Sequence, residues 1–221
     1  MVLFGDSHAQ QWQTAMMELA NQRGWFLTVL TKSGCPVAAL PADGSGQRYA
    51  RPDCIQWRTT ALTRITQQLH PRLIVLASRE NYVASAAERE SAWAATLGRL
   101  TPLGVPIVHI RDNPFPGFDV PTCMSGALLD WTRCAFSRST TLWPDPVQAL
   151  LDSGRVSGAT QIDMTDMICP TAVCPAVRDG VLLYRDESHL SDTFVRALTP
   201  ALAVRLDAAA VLPRPTPTST P

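Results

Sequence analysis

The stretch MVLFGDSH (residues 1–8) runs from four apolar residues directly into a glycine, an acid, a hydroxyl and an imidazole. A short apolar run that ends at a glycine is typical of a buried strand. Apolar residues then recur at helical spacing from Trp12 onward, which predicts a helix over residues 8–23. We therefore expect Ser7 to lie in the turn between a strand over residues 1–4 and this helix.

The same alternation of strand and helix continues along the chain. Further strands are predicted at WFLTVLT (25–31), RLIVLAS (72–78), GVPIVHI (104–110) and within residues 159–169. Helices are predicted at 55–69, 85–100 and 144–153, and after DESHL (186–190) to about residue 209, with an irregular segment at 111–139. Their spacing directs Ile55 and the tryptophans Trp12, Trp57 and Trp93 toward the core. The alternation predicts an α/β fold, a three-layer α/β/α sandwich with a parallel sheet of about five strands.

Length and composition predict one globular domain over residues 1–210 and a Pro/Thr-rich tail over residues 211–221 that is expected to be disordered. Nineteen basic residues balance nineteen acidic ones, so no net charge favours a nucleic acid partner. The apolar runs are shorter than the roughly 18 residues that cross a bilayer. Because Met1 begins directly in a strand-like run, we expect the chain to be a segment of a longer protein.

Six cysteines lie in loop-like segments rich in proline, glycine or polar residues. An even number of cysteines in loops favours three disulfides and an oxidising compartment. The pairing that closes short local loops is Cys35–Cys54, Cys123–Cys134 and Cys169–Cys174, one of about fifteen connectivities. Six reduced thiols in the cytosol are the alternative, whereas the Cys and His spacing of a zinc site is not found in the sequence.

Ligands of parallel sheets bind beyond the carboxyl ends of the strands. The polar residues that follow the first four predicted strands are therefore candidate site residues: Ser7; Ser33 and Gly34; Arg79, Glu80 and Asn81; Arg111, Asp112 and Asn113. His8 is expected to line the site and contact substrate. Arg79 and Arg111 either bind an acidic or hydroxyl-bearing substrate or pair with carboxylates at the strand ends. Trp131 and Trp143 could stack on a sugar ring.

A serine becomes a nucleophile when a base takes its proton and a carboxylate orients that base. His8 is nearest to Ser7 in sequence, but successive residues at a strand-to-helix turn generally point apart. Asp186 and His189 are three residues apart before the last helix, a spacing that brings both side chains to one side. We therefore predict Ser7 as nucleophile, His189 as base and Asp186 as orienting acid. The alternative is that Asp6 or Ser7 only caps the following helix.

Two motifs at opposite ends of the chain resemble a known family. GDSH (5–8) after the first strand and DESHL (186–190) before the last helix resemble the SGNH (GDSL-like) hydrolase superfamily, which has a flavodoxin-like α/β fold. LFGDSHAQQW (3–12), SGCP (33–36) and CPTAVCPAVRDGVLLYRDESHLS (169–191) look more like the SGNH domains fused to acyltransferase-3 membrane domains. Those fusion proteins O-acylate extracytoplasmic glycans.

The resemblance also implies an oxyanion hole with three donors. These are the backbone N–H of Ser7, a glycine after the second strand, which Gly34 matches, and an asparagine after the third strand. The block ASRENY (77–82) stands here in place of the superfamily's G-x-N-D pattern. Either Asn81 or Arg79 would then supply the third donor.

The function implied by the resemblance is serine-dependent O-acyl transfer, with acetyl as the expected group, to a cell-envelope glycan through an acyl-serine intermediate. An N-terminal acyltransferase-3 membrane domain would deliver the acyl group and tether this domain on the extracytoplasmic side. Two alternatives stay open: a secreted esterase with the same triad, and a non-catalytic glycan-binding domain. No metal or organic cofactor is implied, since the Gly-rich DGSGQ (43–47) lacks the lysine and the strand–helix context of a phosphate loop.

Overall fold

The computed structural model describes residues 1–40, 51–82 and 84–210. Five parallel strands form the central sheet in the order β2-β1-β3-β4-β6, which confirms the predicted fold class. Two small antiparallel pairs, β5–β7 and β8–β9, lie outside it. The strands are β1 Val2–Gly5, β2 Thr28–Thr31, β3 Ile74–Ala77, β4 Ile107–Ile110, β5 Phe136–Ser137, β6 Ala159–Ile162, β7 Val173–Cys174, β8 Val177–Arg178 and β9 Val181–Leu182.

Helices cover both faces of the sheet. They are α1 Ser7–Gln10, α2 Gln13–Arg23, α3 Pro52–Gln67, α4 Ala86–Leu100, α5 Val120–Ser125, α6 Arg138–Thr141, α7 Pro146–Asp152, α8 Thr165–Ile168 and α9 Asp192–Ala210. Successive side chains of a strand point to opposite faces. In β1, Leu3 accordingly packs into the core with α2 and α9, while Val2 and Phe4 pack into the core with α3, α4 and α7. All four residues of β1, β3 and β4 are therefore buried, as the continuous apolar runs predict.

The strand ends are aligned, and this alignment positions the site. The last residues of the five sheet strands pair in register: Gly5 with Thr31 and Ala77, Ala77 with Ile110, and Ile110 with Ile162. Because the strands are parallel, the segments that follow them all leave the sheet at one edge. We call this edge the carboxyl edge.

Several element boundaries differ from the prediction. The helix expected over residues 8–23 is two helices, α1 and α2, separated at Gln11 and Trp12. The expected helix 55–69 begins earlier, at Pro52, because proline suits the first turn of a helix, and Ile55 is 46% exposed rather than buried. The second strand begins at Thr28, and Phe26 lies outside it, 94% exposed.

The segment 111–139, predicted to be irregular, contains α5, β5 and a single 3₁₀ turn at Trp131–Cys134. Asp119 begins α5 by accepting a hydrogen bond from the backbone N–H of Thr122, and Asp130 begins the 3₁₀ turn in the same way. Such short caps are local polar interactions without a hydrophobic period, so the apolar pattern of the sequence does not reveal them.

The three predicted local cysteine pairs are disulfides in the structure. The Cα atoms lie 5.4 Å apart in Cys35–Cys54, 5.9 Å apart in Cys123–Cys134 and 4.6 Å apart in Cys169–Cys174. Within the described residues, no helix combines the length and apolar character needed to span a membrane. The DGSGQ loop and the tail 211–221 lie outside the described residues.

Candidate active site at the carboxyl edge

The turn after β1 depends on the absence of a side chain at Gly5. A Cβ atom at this position would lie 1.9 Å from the carbonyl oxygen of Ala77 and 2.6 Å from Cβ of Ala9. Backbone of β3 and helix α1 therefore approach Gly5 from two sides, and only glycine fits between them. This close packing brings the start of α1, and with it Ser7, against the sheet.

Asp6 fixes the direction in which α1 leaves the strand. Its side chain is fully buried, and Oδ1 accepts a hydrogen bond from the backbone N–H of His8 (2.8 Å), which caps the helix. Oδ2 accepts three more hydrogen bonds, from the hydroxyls of Ser78 (3.0 Å) and Tyr82 (2.7 Å) and from the backbone N–H of Arg79 (3.0 Å). The predicted helix cap is thus formed by Asp6, so the Ser7 hydroxyl is not needed to cap α1.

Ser7 is the first residue of α1 and is partly exposed. The first N–H groups of a helix have no partner within the helix, and the role of the Ser7 N–H as an oxyanion donor stays a prediction. The next residue, His8, has its ring centroid 4.6 Å from the ring centroid of His189. The two ends of the chain therefore meet beside Ser7.

Asp186 and His189 form a hydrogen-bonded pair in the loop before α9. Oδ2 of Asp186 lies 2.7 Å from Nδ1 of His189, and Oδ1 accepts the backbone N–H groups of Ser188 (2.8 Å) and His189 (2.7 Å). The carboxylate thus anchors both the ring and the loop that carries it. Nε2 of His189 is buried and has no hydrogen-bond partner in the described part of the chain. It is therefore not hydrogen-bonded to the Ser7 hydroxyl in this structure. Such contacts often form only when substrate is bound.

The local charges keep this pair in the state that a general base needs. Burial lowers the pKa of His189, and the charge of His8 lowers it further, which together outweigh the contribution of Asp186. Burial alone would raise the pKa of Asp186, but hydrogen bonds from the backbone of His189 and Ser188 and from the imidazole outweigh it and lower this pKa. At neutral pH the pair is therefore a neutral imidazole held by an ionised carboxylate.

A second imidazole–carboxylate pair lies beside the first. Nδ1 of His8 is 2.6 Å from Oδ1 of Asp112, which follows β4, and both side chains are buried. Burial would lower the pKa of His8, but the charge and hydrogen bond of Asp112 outweigh this effect and raise it. The sequence prediction named Asp112 only as a residue at a strand end and assigned no partner to His8. The partners are 104 residues apart, and only the rule of strand carboxyl ends could have brought them together.

A polar network holds the His189 loop in place. Nε2 of Gln11 donates to Oδ1 of Asn113 (2.8 Å), and Oε1 of Gln11 accepts the backbone N–H of Leu190 (2.8 Å). Nδ2 of Asn113 donates to the backbone carbonyl of Ser188 (2.8 Å). The sequence prediction placed Asn113 at the strand end without a role and did not mention Gln11. Its signal was hidden because Gln11 lies in what reads as an uninterrupted helix.

The predicted oxyanion donors lie on either side of Ser7. Gly34 lies in the turn after β2, with φ of 69°, a conformation that favours glycine. Asn81 and Arg79 follow β3 and bond to each other, with Nε of Arg79 donating to Oδ1 of Asn81. The guanidinium of Arg79 lies 5.0 Å above the ring of Phe115. The roles of these donors stay predictions, and the bond between Asn81 and Arg79 shows that the two candidates for the third donor lie side by side.

Arg111, another predicted substrate-binding residue, follows β4, which lies two strands from β1 in the sheet. Its Nη1 is 2.7 Å from Oδ2 of Asp163, and its Nε is 3.8 Å from Oδ2 of the buried Asp145. Arg111 therefore forms the ion pair at the strand end that was predicted as the alternative to substrate binding. Trp131 and Trp143 are 54% and 40% exposed, so both indoles can be reached from solvent.

These contacts assemble the parts of a nucleophilic site at one edge: a serine at a helix N-terminus, an imidazole oriented by a carboxylate, and candidate donors on the neighbouring strand ends. His8, the residue after Ser7, packs against the ring of His189, and the loop of His189 is held by Gln11 and Asn113. Such an arrangement can carry an acyl group on a serine oxygen.

Comparison with known proteins shows the family and agrees with the fold. Residues 1–204 match the family described as SGNH domain (fused to AT3 domains). The structure is similar to the periplasmic domain of a lipopolysaccharide acetyltransferase of Salmonella ser. Paratyphi A, with a TM-score of 0.68, 13% identity and coverage of 96% of this chain and 83% of that chain. This similarity establishes the shared fold.

Two further solved structures match less closely. A putative acylhydrolase of Bacteroides fragilis has a TM-score of 0.49 and 10% identity, covering 92% of this chain and 85% of its own. A GDSL-like lipase of Bacteroides thetaiotaomicron has a TM-score of 0.48 and 10% identity, covering 92% of this chain and 86% of its own. No curated protein sequence matches the chain.

Proposed function

The chain belongs to the family of SGNH domains that are fused to AT3 domains, and from this premise we propose that it transfers an acyl group through Ser7. The observation that carries the proposal is the pair Asp186–His189. Nδ1 of His189 lies 2.7 Å from Oδ2 of Asp186, and Nε2 of His189 is buried without a hydrogen-bond partner in the described residues. The ring of His189 packs beside the helix that begins with Ser7. This is the arrangement of a base that awaits a hydroxyl proton.

The reaction has two half-steps that use the same residues. In the first, Nε2 of His189 takes the proton of the Ser7 hydroxyl while Oγ attacks the carbonyl carbon of an acyl donor. The tetrahedral intermediate collapses when the bond to the leaving group breaks and His189 gives its proton to that group. The acyl group then remains on Oγ of Ser7.

In the second half-step, an acceptor hydroxyl gives its proton to Nε2 of His189 and attacks the acyl carbon. The bond to Oγ breaks, and Ser7 receives the proton from His189. Asp186 holds the imidazole in the required tautomer throughout and stabilises its charged form. If the acceptor is a glycan hydroxyl, the protein is an O-acyltransferase; if it is water, an esterase.

The negative oxygen of each tetrahedral intermediate needs hydrogen-bond donors. We assign this role to the backbone N–H of Ser7, at the start of α1, and to the backbone N–H of Gly34. Arg79 or Asn81 supplies the third donor from the end of β3. Arg79 carries a positive charge and its backbone is fixed by Asp6, so its guanidinium suits a developing oxyanion.

We place the transferase first among the possible functions. The family is defined by fusion to AT3 domains, and a structural neighbour is the periplasmic domain of a lipopolysaccharide acetyltransferase. The proposed acceptor is a cell-envelope glycan, and the proposed acyl source is a membrane acyltransferase domain on the same polypeptide. The three disulfides favour an extracytoplasmic location.

The first test is turnover of a small aryl acetate by the chain, with Ser7→Ala and His189→Ala beside the parent. We expect both substitutions to remove turnover, and intact mass to show an acetyl adduct on Ser7 of the parent. His70→Asn is the matched control, because His70 is exposed, precedes β3 at the end of the sheet opposite to the carboxyl edge, and has a positive φ that asparagine tolerates. Adding an oligosaccharide acceptor then separates transfer from hydrolysis.

The absence of an adduct and of turnover in the parent, with folding intact, would contradict the serine mechanism. In that event, binding of oligosaccharides without reaction would support the non-catalytic alternative. Turnover that survives in Ser7→Ala would show that the activity comes from another group.

A further inference from the structure

The unexplained feature of the site is that it contains two imidazoles in contact, the buried His8 and the partly buried His189, each anchored to its own carboxylate. The ring centroids of His8 and His189 lie 4.6 Å apart with an interplanar angle of 50°. Nδ1 of His8 is bonded to Asp112, and Nδ1 of His189 is bonded to Asp186. The triad uses only one of these pairs, so the second needs a reason.

The second pair, His8–Asp112, joins side chains from separate parts of the fold. Oδ1 of Asp112 is hydrogen-bonded to Nδ1 of His8 and accepts the backbone N–H of Asn113. Oδ2 accepts the backbone N–H of Glu80. The strand ends of β3 and β4 thus hold one carboxylate against one imidazole. Nε2 of His8 is buried and has no partner in the described part of the chain, so this ring does not serve as an ordinary structural hydrogen-bond bridge.

We propose that the His8–Asp112 pair is a positioning pair that keeps a positive charge beside His189 and thereby keeps His189 unprotonated and ready to act as a base in acidic surroundings. The inference rests on the proposed function, since it treats His189 as the base. A like charge in contact disfavours protonation of the second imidazole. His189 carrying a proton would also become a stronger acid toward the leaving group.

The other charges around the two rings are consistent with this assignment. His189 faces Asp186 and Arg185 from its own loop and His8 from α1. His8 faces Asp112 after β4, Asp6 before α1 and Arg79 after β3. Two carboxylates therefore favour the charged form of His8, while His189 meets one carboxylate and two cationic groups.

The test is to remove the charge of the second pair without leaving a buried group unpaired. His8→Gln combined with Asp112→Asn replaces the ion pair by two neutral amides. Titration of the histidine ring nitrogens by NMR, with the His189 signal assigned through His189→Gln, measures the protonation midpoint of His189 directly. We expect this midpoint to rise by about one pH unit when the neighbouring charge is lost.

The acid limb of the pH profile of kcat/KM for aryl acetate should rise by the same amount. Within each protein's own profile, the ratio of activity below both midpoints to activity at pH 8 is then about tenfold lower for the double variant than for the parent. The control is His109→Gln, since His109 is equally buried but packs against Trp93 and not against His189, and burial lowers its pKa. It should leave the midpoint where it is.

An unchanged midpoint in the double variant would overturn the proposal, and so would a loss of activity that is equal at all pH values, which is the result of a purely structural role. If the double variant does not fold, Asp112→Asn alone applies the same test, because it removes the carboxylate that is bonded to His8 and so disfavours the charged form of this imidazole. The NMR titration does not need turnover. A failure of the proposed function would therefore be seen separately, as an inactive parent.

Discussion

The side-chain amides of Gln11 and Asn113 are joined by a 2.8 Å hydrogen bond, and between them they hold the His189 loop on both sides of the imidazole. Asn113 binds the backbone carbonyl of Ser188, and Gln11 binds the backbone N–H of Leu190. The position of the proposed base is thus set by two residues that do not touch its ring.

Asn113→Ala should therefore reduce activity although it replaces none of the three triad residues. The substitution leaves the carbonyl of Ser188 and the amide of Gln11 unpaired in a buried place, which costs about 1–3 kcal/mol of stability. A displacement of the imidazole of about 1 Å would lower kcat about 100-fold. Chemical denaturation and steady-state kinetics on aryl acetate measure the two effects.

The control for this variant is Gln148→Ala, because Gln148 is exposed and its side-chain amide donates to Asp152 on the same helix. It should change stability by no more than about 0.5 kcal/mol and leave kcat unchanged. Equal kinetics for Asn113→Ala and the parent would show that the loop is held by other contacts.

Asp186→Asn should remove activity through the tautomer of His189. The amide oxygen can still accept the backbone N–H groups of Ser188 and His189, but its NH₂ group then faces Nδ1. Nδ1 must give up its proton to accept this bond, and the proton moves to Nε2, where it blocks uptake from Ser7. We expect kcat to fall about 10⁴-fold with the fold intact.

Kinetics together with a crystal structure or NMR of the ring tautomer would check this result. Glu187→Gln is the matched control, since Glu187 is the adjacent acid and is exposed. Activity of the asparagine variant within tenfold of the parent would mean that another group orients the imidazole.

Gly5→Ala should destabilise the protein severely. The added Cβ meets the backbone oxygen of Ala77 at 1.9 Å, and backbone in the middle of a sheet cannot move aside. Overpacking of this kind costs about 3 kcal/mol or more. Gly98→Ala is the contrasting variant, because nothing lies within 4 Å of a Cβ on this exposed position of α4.

By its greater helix propensity, Gly98→Ala should raise the free energy of unfolding by up to about 1 kcal/mol. Urea unfolding of both variants measures the difference. A Gly5→Ala protein as stable as the parent would show that β1 and β3 can separate at this point.

Glu80→Gln should make stability less dependent on pH. Burial raises the pKa of Glu80 well above its ordinary value of 4.5, and the charges of Asp145 and Asp112 act in the same direction. As pH rises above 4.5, the unfolded chain loses this proton while the folded protein retains it, so folding stability falls with rising pH. Glutamine mimics the protonated form and removes this loss.

We therefore expect the glutamine variant to gain on the parent between pH 4.5 and pH 8, with the greatest advantage at the upper end. The free energy of unfolding in urea at several pH values measures it. Parallel stability curves for the two proteins would indicate that Glu80 is ionised in the folded state.

The strand–helix alternation could be predicted because the central strands are buried on both faces and their apolar runs are continuous. The residues at which the strands begin and end could not be predicted in the same way. The residues before β2, Trp25, Phe26 and Leu27, are as apolar as the strand itself, yet the strand begins at Thr28. Hydrophobicity reports burial, and Phe26 is an exposed exception to it.

The site shows a similar division between local and distant contacts. Asp186 and His189 are close in sequence, so the spacing alone suggested their hydrogen bond, which the structure contains. His8 and Asp112 meet only through the order of the sheet strands. A sequence can place such residues at one edge, but the choice of partner depends on side-chain geometry that only the folded backbone determines.

The order in which the site is assembled has a consequence for biosynthesis. Ser7 begins the helix that follows β1, whereas the bond between Gln11 and Leu190 spans 179 residues. At about 5–20 residues per second, the nucleophile leaves the ribosome roughly ten to forty seconds before its base. In the proposed mechanism a nascent chain therefore carries an inert serine, and the proposed chemistry can begin only once nearly the whole domain has been made and folded.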